Sequence, residues 1–178
     1  MQTLEQQMSV YAAYHQDARN KATHFVGVPM IIFGLFVALG WARVDISGIA
    51  LTAAMLLAAV VLAWYFLLDV PLALAMLAVN SVLLYFADLV SVQPIGAGLV
   101  WFLVFFGGGW VIQLVGHACE GRKPALVDNF FQIFVAPIFL AAELFFALGY
   151  KPALHAAVQK RALEMRAAAG VTERTAAA

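Results

Sequence analysis

Polar and apolar positions alternate along this chain in long blocks. Met1 to Arg19 is polar but carries Leu4, Met8, Tyr11 and Tyr14 at helical spacing, which predicts an amphipathic helix at a membrane surface, leading into the bilayer. Phe25 to Ala42 is an apolar run containing Pro29 and Gly34 and closed by Arg43 and Asp45. Ile49 to Leu68 is a second run, ended by Asp69 and Pro71; Leu72 to Val90, with Asn80 inside it and Asp88 near its end, is a third. Gln93 to Gly98 forms a loop, and Val100 to Gly116 is the fourth run. A hydrocarbon core needs about 20 residues of helix and tolerates about 17, so each run is read as a full transmembrane helix.

Phe130 to Tyr150 is a fifth hydrophobic segment, interrupted by Pro137 and carrying Glu143. It is read as bent or re-entrant, covered by protein where its backbone departs from helix. Gly107, Gly108 and Gly109 permit close contact between helices, or else a locally unwound backbone. The expectation is an all-α, polytopic membrane bundle in a single domain over residues 1–178. Residues 1–24 hold the amphipathic helix and a histidine motif, 25–150 the bundle, and 151–178 a cytoplasmic tail frayed from Ala167 to Ala178.

Four crossings return the chain to the side from which it entered, so His24 and His117 share a face. That face carries Arg19, Lys21, Arg122 and Lys123, against Arg43 on the other. With a re-entrant fifth segment the basic tail joins the first face, which makes both termini cytoplasmic. The N-terminus lacks a basic stretch leading into an apolar run, so no cleavable signal is expected.

Composition sharpens the reading. Only 11% of residues are charged against 65% hydrophobic, and the formal net charge is +0. No basic patch with interleaved aromatics is present, which argues against nucleic acid as a partner. The lone Cys119 excludes an intrachain disulfide and a thiolate-rich cluster, and it is expected to pack as a small apolar residue. A metal must therefore use imidazole, carboxylate or amide ligands.

On a helix, Gln113, Gly116, His117 and Glu120 fall along one stripe. An imidazole and a carboxylate one turn apart suit a divalent metal, with the amide orienting a ligand or substrate. Asn20 and His24 share a face as well, whereas His15 and His24, nine residues apart, lie on opposite sides of a continuous helix. They converge only if the chain breaks between them; Asp17 and Asn20 favour such a break, and Asn20 is placed as the cap of the helix that holds His24. His15 and His24 otherwise read as headgroup-zone histidines, and His155 as structural. Glu143 reads either as an ion-pair partner of Arg122 or Lys123 or as a neighbour of the metal. Asp69, Asp88 and Asp128 are expected to be solvated caps, and Asn80 to bond between helices.

Two motifs, His15-x4-Asn20-x3-His24 followed by Pro29, and Gln113-x2-Gly116-His117-x2-Glu120-Gly-Arg122-x-Pro124-Ala125-Leu126, resemble the Mpo-like family of membrane proteins. The resemblance continues through Asp128-Asn129, Gln132, Ala136-Pro137 and Glu143. It implies an iron(II)-dependent dioxygenase that shortens long-chain 2-hydroxy fatty acids by one carbon, with dioxygen as co-substrate. His15, His24 and His117 then carry over as metal ligands, with Glu120 as a ligand or neighbour and Asn20 and Gln113 beside them. Arg122, Lys123 or Arg19 is assigned to the substrate carboxylate, and the acyl tail to the space between apolar helices. The competing readings are a transporter or channel lined by Glu143, Asn80 and histidines, and a scaffold whose polar motifs are interhelical contacts.

Overall fold

The structure, a computed structural model, describes residues 3–121 and 130–176, with side chains through residue 169. Helix α1 (Leu4–Tyr14) opens with a capping box between Thr3 and Gln6. After a break at His15 to Asp17 comes α2 (Ala18–Gly40), followed by a hairpin of β1 (Arg43–Ile46) and β2 (Ile49–Thr52). Helices α3 (Ala53–Leu68), α4 (Val70–Ser91), α5 (Ile95–Phe102) and α6 (Gly108–Glu120) follow, with a π-helical turn at Leu103–Gly107 joining the last two. Helix α7 (Gln132–Ala147) and the C-terminal α8 (Pro152–Ala176) complete the order.

Among the described residues three spans are long and apolar enough to cross a membrane: α2, α4 and the continuous stretch Ile95–Glu120. The second predicted crossing is shorter than expected, because Ile49–Thr52 belongs to the hairpin and leaves a helix of 16 residues. That helix is about 24 Å long, against about 30 Å of hydrocarbon. The hairpin also departs from the all-α expectation. Its cause is local: Ser47 and Gly48 both have positive φ, 55° and 82°. Ile46 pairs with Ile49 across this two-residue loop, and paired left-handed residues are what a tight hairpin requires. Helix α3 still brings the chain back alongside α2, and a one-residue turn at Asp69 starts α4.

The fifth segment is an uninterrupted helix through Pro137. Proline lacks the N–H that would bond the carbonyl four residues back; one residue on, the Phe134 carbonyl accepts the Tyr65 hydroxyl at 2.6 Å. The C-terminal segment is helical through Ala176 where fraying was expected. Its Leu154, Val158, Ala162 and Met165 pack into the core cluster that contains Leu4, Met8 and Tyr11 of α1. The apolar stripe of α1 thus meets protein as well as helix-forming periodicity.

Helices α2 and α6 approach closely. A Cβ on Gly109 would stand 2.8 Å from the Gly27 carbonyl, and one on Gly116 would stand 2.0 Å from Thr23 Oγ1. The triple-glycine stretch therefore serves close contact at Gly109, while the backbone irregularity lies just before it. This contact sets the height of His117 on α6 against His24 on α2.

Candidate metal centre

His15 sits in the break after α1, His24 lies two turns into α2, and His117 lies in the last turn of α6. All three are buried. Ring centroids are 4.5 Å apart for His15 and His24, and 5.0 Å for each pair with His117. The break that the nine-residue spacing demands is present, and it turns the chain so that both N-terminal imidazoles point the same way.

Backbone carbonyls set the tautomers. His15 Nδ1–H donates to the Tyr11 carbonyl at 2.7 Å and His24 Nδ1–H to the Asn20 carbonyl at 2.8 Å. A carbonyl behind the ring in this way is typical of metal-bound histidine and frees Nε2 as the donor atom. With both rings neutral, the two Nε2 atoms face each other at 3.2 Å with no proton between them. Two facing lone pairs repel unless a cation lies between them. Nitrogens bound to one ion at about 2.0–2.1 Å lie about 3–4 Å apart, which this pair satisfies. The three histidines offer ligand atoms all within 4.8 Å of one another, so a small inward shift of the widest pair completes a three-imidazole set. Burial, and then the neighbouring imidazole of His24, push His15 well below the usual imidazole range, so it is neutral at physiological pH. Tyr11 stacks on the His15 ring at 3.9 Å with planes 6° apart, holding it in place.

Glu120 is buried next to these histidines but does not join their ligand group among the described residues. Its carboxylate accepts from Gln16 N at 3.1 Å, Asp17 N at 2.7 Å, Asn20 Nδ2 at 3.2 Å and the Arg166 guanidinium. It thus binds the backbone of the very break that presents His15. Gly121, with φ of 68°, ends α6 immediately afterwards. Asn20 is not the cap: Asp17 takes that place, its side chain accepting from Arg19 N. Asn20 lies inside α2, where its carbonyl orients His24 and its amide holds Glu120. Asp17 precedes the first helical N–H groups, so its side-chain oxygen reaches them and that of Asn20, three positions on, cannot.

A cavity of about 300 Å³ opens from the three imidazoles. Its wall on α2 follows His24, Val28, Ile31, Ile32, Leu35 and Phe36, one helical stripe about 18 Å long. Trp110, Gln113 and His117 of α6 and Val61 and Tyr65 of α3 face it, and Gln132 of α7 contributes a further polar group. Among the described residues the wall takes in Gln113 but neither Asn20 nor Glu120.

Other expectations resolve differently. Arg19 is mostly exposed and forks onto Asp17, while Arg122 and Lys123 lie outside the described residues. Glu143 pairs with Lys21 at 2.8 Å, a partner on α2 that no local spacing indicates. Asn80 bonds the Met76 carbonyl of its own helix instead of a neighbouring helix. Asp69 does cap α4, but its side chain is fully buried and paired with Lys151 and Tyr150, not solvated. Asp128 lies outside the described residues. Cys119 is exposed because its position on α6 turns away from the α2 contact. His155 stacks on Phe146. Arg166, which the sequence reading left in a basic tail, is the residue missed; only its place on a long amphipathic helix hinted at a partner.

The family model described as 2-hydroxy-palmitic acid dioxygenase Mpo1-like matches residues 1–148. A curated relative, the 2-hydroxy-palmitic acid dioxygenase of Saccharomyces cerevisiae, is 34% identical over 163 residues, covering 88% of this chain and 87% of its own length. No solved structure matches. With this match spanning α1 through α7 and all three histidines, the chain belongs to the Mpo1-like family.

Proposed function

We propose that this chain is an integral membrane, iron(II)-dependent dioxygenase that converts long-chain 2-hydroxy fatty acids to the acid one carbon shorter. The observation that carries the reading is the pair of buried Nε2 atoms facing each other at 3.2 Å, at the polar end of an apolar cavity. His15, His24 and His117 would hold the metal, with its remaining positions open. Bound iron(II) supplies the dioxygen chemistry that closed-shell side chains lack. If the carboxyl carbon leaves as carbon dioxide, one dioxygen accepts the four electrons released and water balances the hydrogens. An external reductant is then unnecessary.

The chain's own residues account for the rest. Val28, Ile31, Ile32 and Leu35 line a path for the acyl tail, so a lipid substrate need not leave an apolar medium. Gln113 stands beside His117 to orient the head group. Glu120 and Asn20 hold the histidine-bearing break rigid, which keeps the ligand set preorganised. Arg19, beside the histidine-bearing break, and Arg122 and Lys123, which follow Gly121 in the sequence, are the basic residues assigned to the fatty acid carboxylate. The ligand-bearing face, with both termini, is placed in the cytoplasm, the membrane being a bacterial inner membrane or endoplasmic reticulum.

Anaerobically purified protein is expected to contain iron and to consume oxygen with a long-chain 2-hydroxy acid, releasing the shortened acid. His117→Ala is expected to lose both the iron and the oxygen uptake. A metal-free protein that moves solutes in proteoliposomes regardless of chelator would overturn the reading.

A further inference from the structure

Gln132 begins α7 and is only 1% exposed. Both of its polar atoms, Oε1 and Nε2, are buried without a hydrogen-bond partner among the described residues. Buried polar groups are almost always paired, and an orphaned amide is costly enough to need a reason. The reason is visible in its surroundings: Gln132 lines the same cavity as His15, His24 and His117. The walls around it are largely apolar, with Ile133, Phe134, Ala136 and Pro137 from its own helix.

We infer that the Gln132 carboxamide is a specificity residue that reads the α-hydroxy carboxylate head of the substrate. This rests on the fatty acid reading above. An acyl tail offers nothing to an orphaned donor and acceptor, so only the head group of such a ligand can satisfy them. An α-hydroxy carboxylate carries a hydroxyl donor and carboxylate acceptors on adjacent carbons. A carboxamide presents the complement, Oε1 accepting from the hydroxyl and Nε2–H donating to the carboxylate. An unhydroxylated fatty acid leaves Oε1 unpaired among apolar walls, and sites built around a hydroxyl reject analogues that lack it.

The test compares displacement of a fluorescent fatty acid from full-length, iron-loaded protein by a long-chain 2-hydroxy acid and by the same acid without the hydroxyl. Wild type is expected to prefer the hydroxy acid. Gln132→Leu is expected to lower that preference by about tenfold or more, because the hydroxy acid loses two hydrogen bonds and the plain acid only the one to its carboxylate. Its thermal midpoint should hold or rise, because two unpaired polar atoms leave the interior; a purely structural glutamine would give a lower midpoint. Gln132→Glu, whose ionised form cannot donate and repels the carboxylate, should weaken binding of both acids. If wild type prefers the hydroxy acid and Gln132→Leu keeps that preference, the inference is overturned and the fatty acid reading stands. If wild type binds neither acid, both are overturned.

Discussion

The two ends of the helical bundle use the same helices and differ sharply in polar content. At the ligand end, Glu120 gathers the chain break, Asn20 and Arg166. Lys21 pairs with Glu143 there, and Asp69 is buried against Lys151 and Tyr150. Helices α1 and α8 cover this end, with Val158 and Ala162 fully buried. The opposite end is closed by the hairpin, whose Val44, Ile46, Ile49 and Leu51 are exposed, with Arg43 reaching Asp88 and Ser91. Joining helices needs only a tight turn; aiming three imidazoles at one point needs buried bonds whose desolvation costs are offset one by one. Buried polar groups therefore concentrate where geometry must be held, and they mark the functional end independently of its histidines.

The largest expected effect follows from removing the centre of that network. Glu120→Gln leaves Arg166 and two backbone N–H groups facing a neutral amide, and metal affinity should fall about 10–100-fold, as losses behind metal ligands do. Metal titration of the variant checks this; an unchanged affinity would mean that the break holds His15 without help. A smaller effect is expected for Gly116→Ala, whose methyl group meets Thr23 and Asn20. Overpacking of this kind costs about 1–3 kcal/mol, and here it should also reduce metal retention by separating His24 from His117. Equilibrium unfolding in detergent, with metal content on the same samples, separates the two consequences. The smallest effect belongs to the other end. Arg43→Ala removes a partly exposed ion pair, worth about 0–1 kcal/mol, and should leave metal content unchanged. If it cost as much as Gly116→Ala, the contrast between the ends would fail.

Much of this organisation is written locally in the chain. Block lengths mark the apolar segments, and the alternating direction of successive helices puts His24 and His117 at one end of the bundle. Turn-forming Asp17 between His15 and His24 announces the break, because a nine-residue separation cannot converge on a continuous helix. Spacings of three and four align Gln113, His117 and Glu120 by periodicity alone. The hairpin at Ser47 and Gly48 was locally encoded too, yet an apolar run hid it, since β-branched residues suit a strand and a membrane helix alike. What only the tertiary structure decided are pairings between distant segments: Arg166 with Glu120, Lys21 with Glu143, and Gln132 left unpaired against the cavity. Those depend on the rotation and height of each helix against its neighbours, which close packing at Gly109 and Gly116 sets. Local periodicity carries no record of that packing.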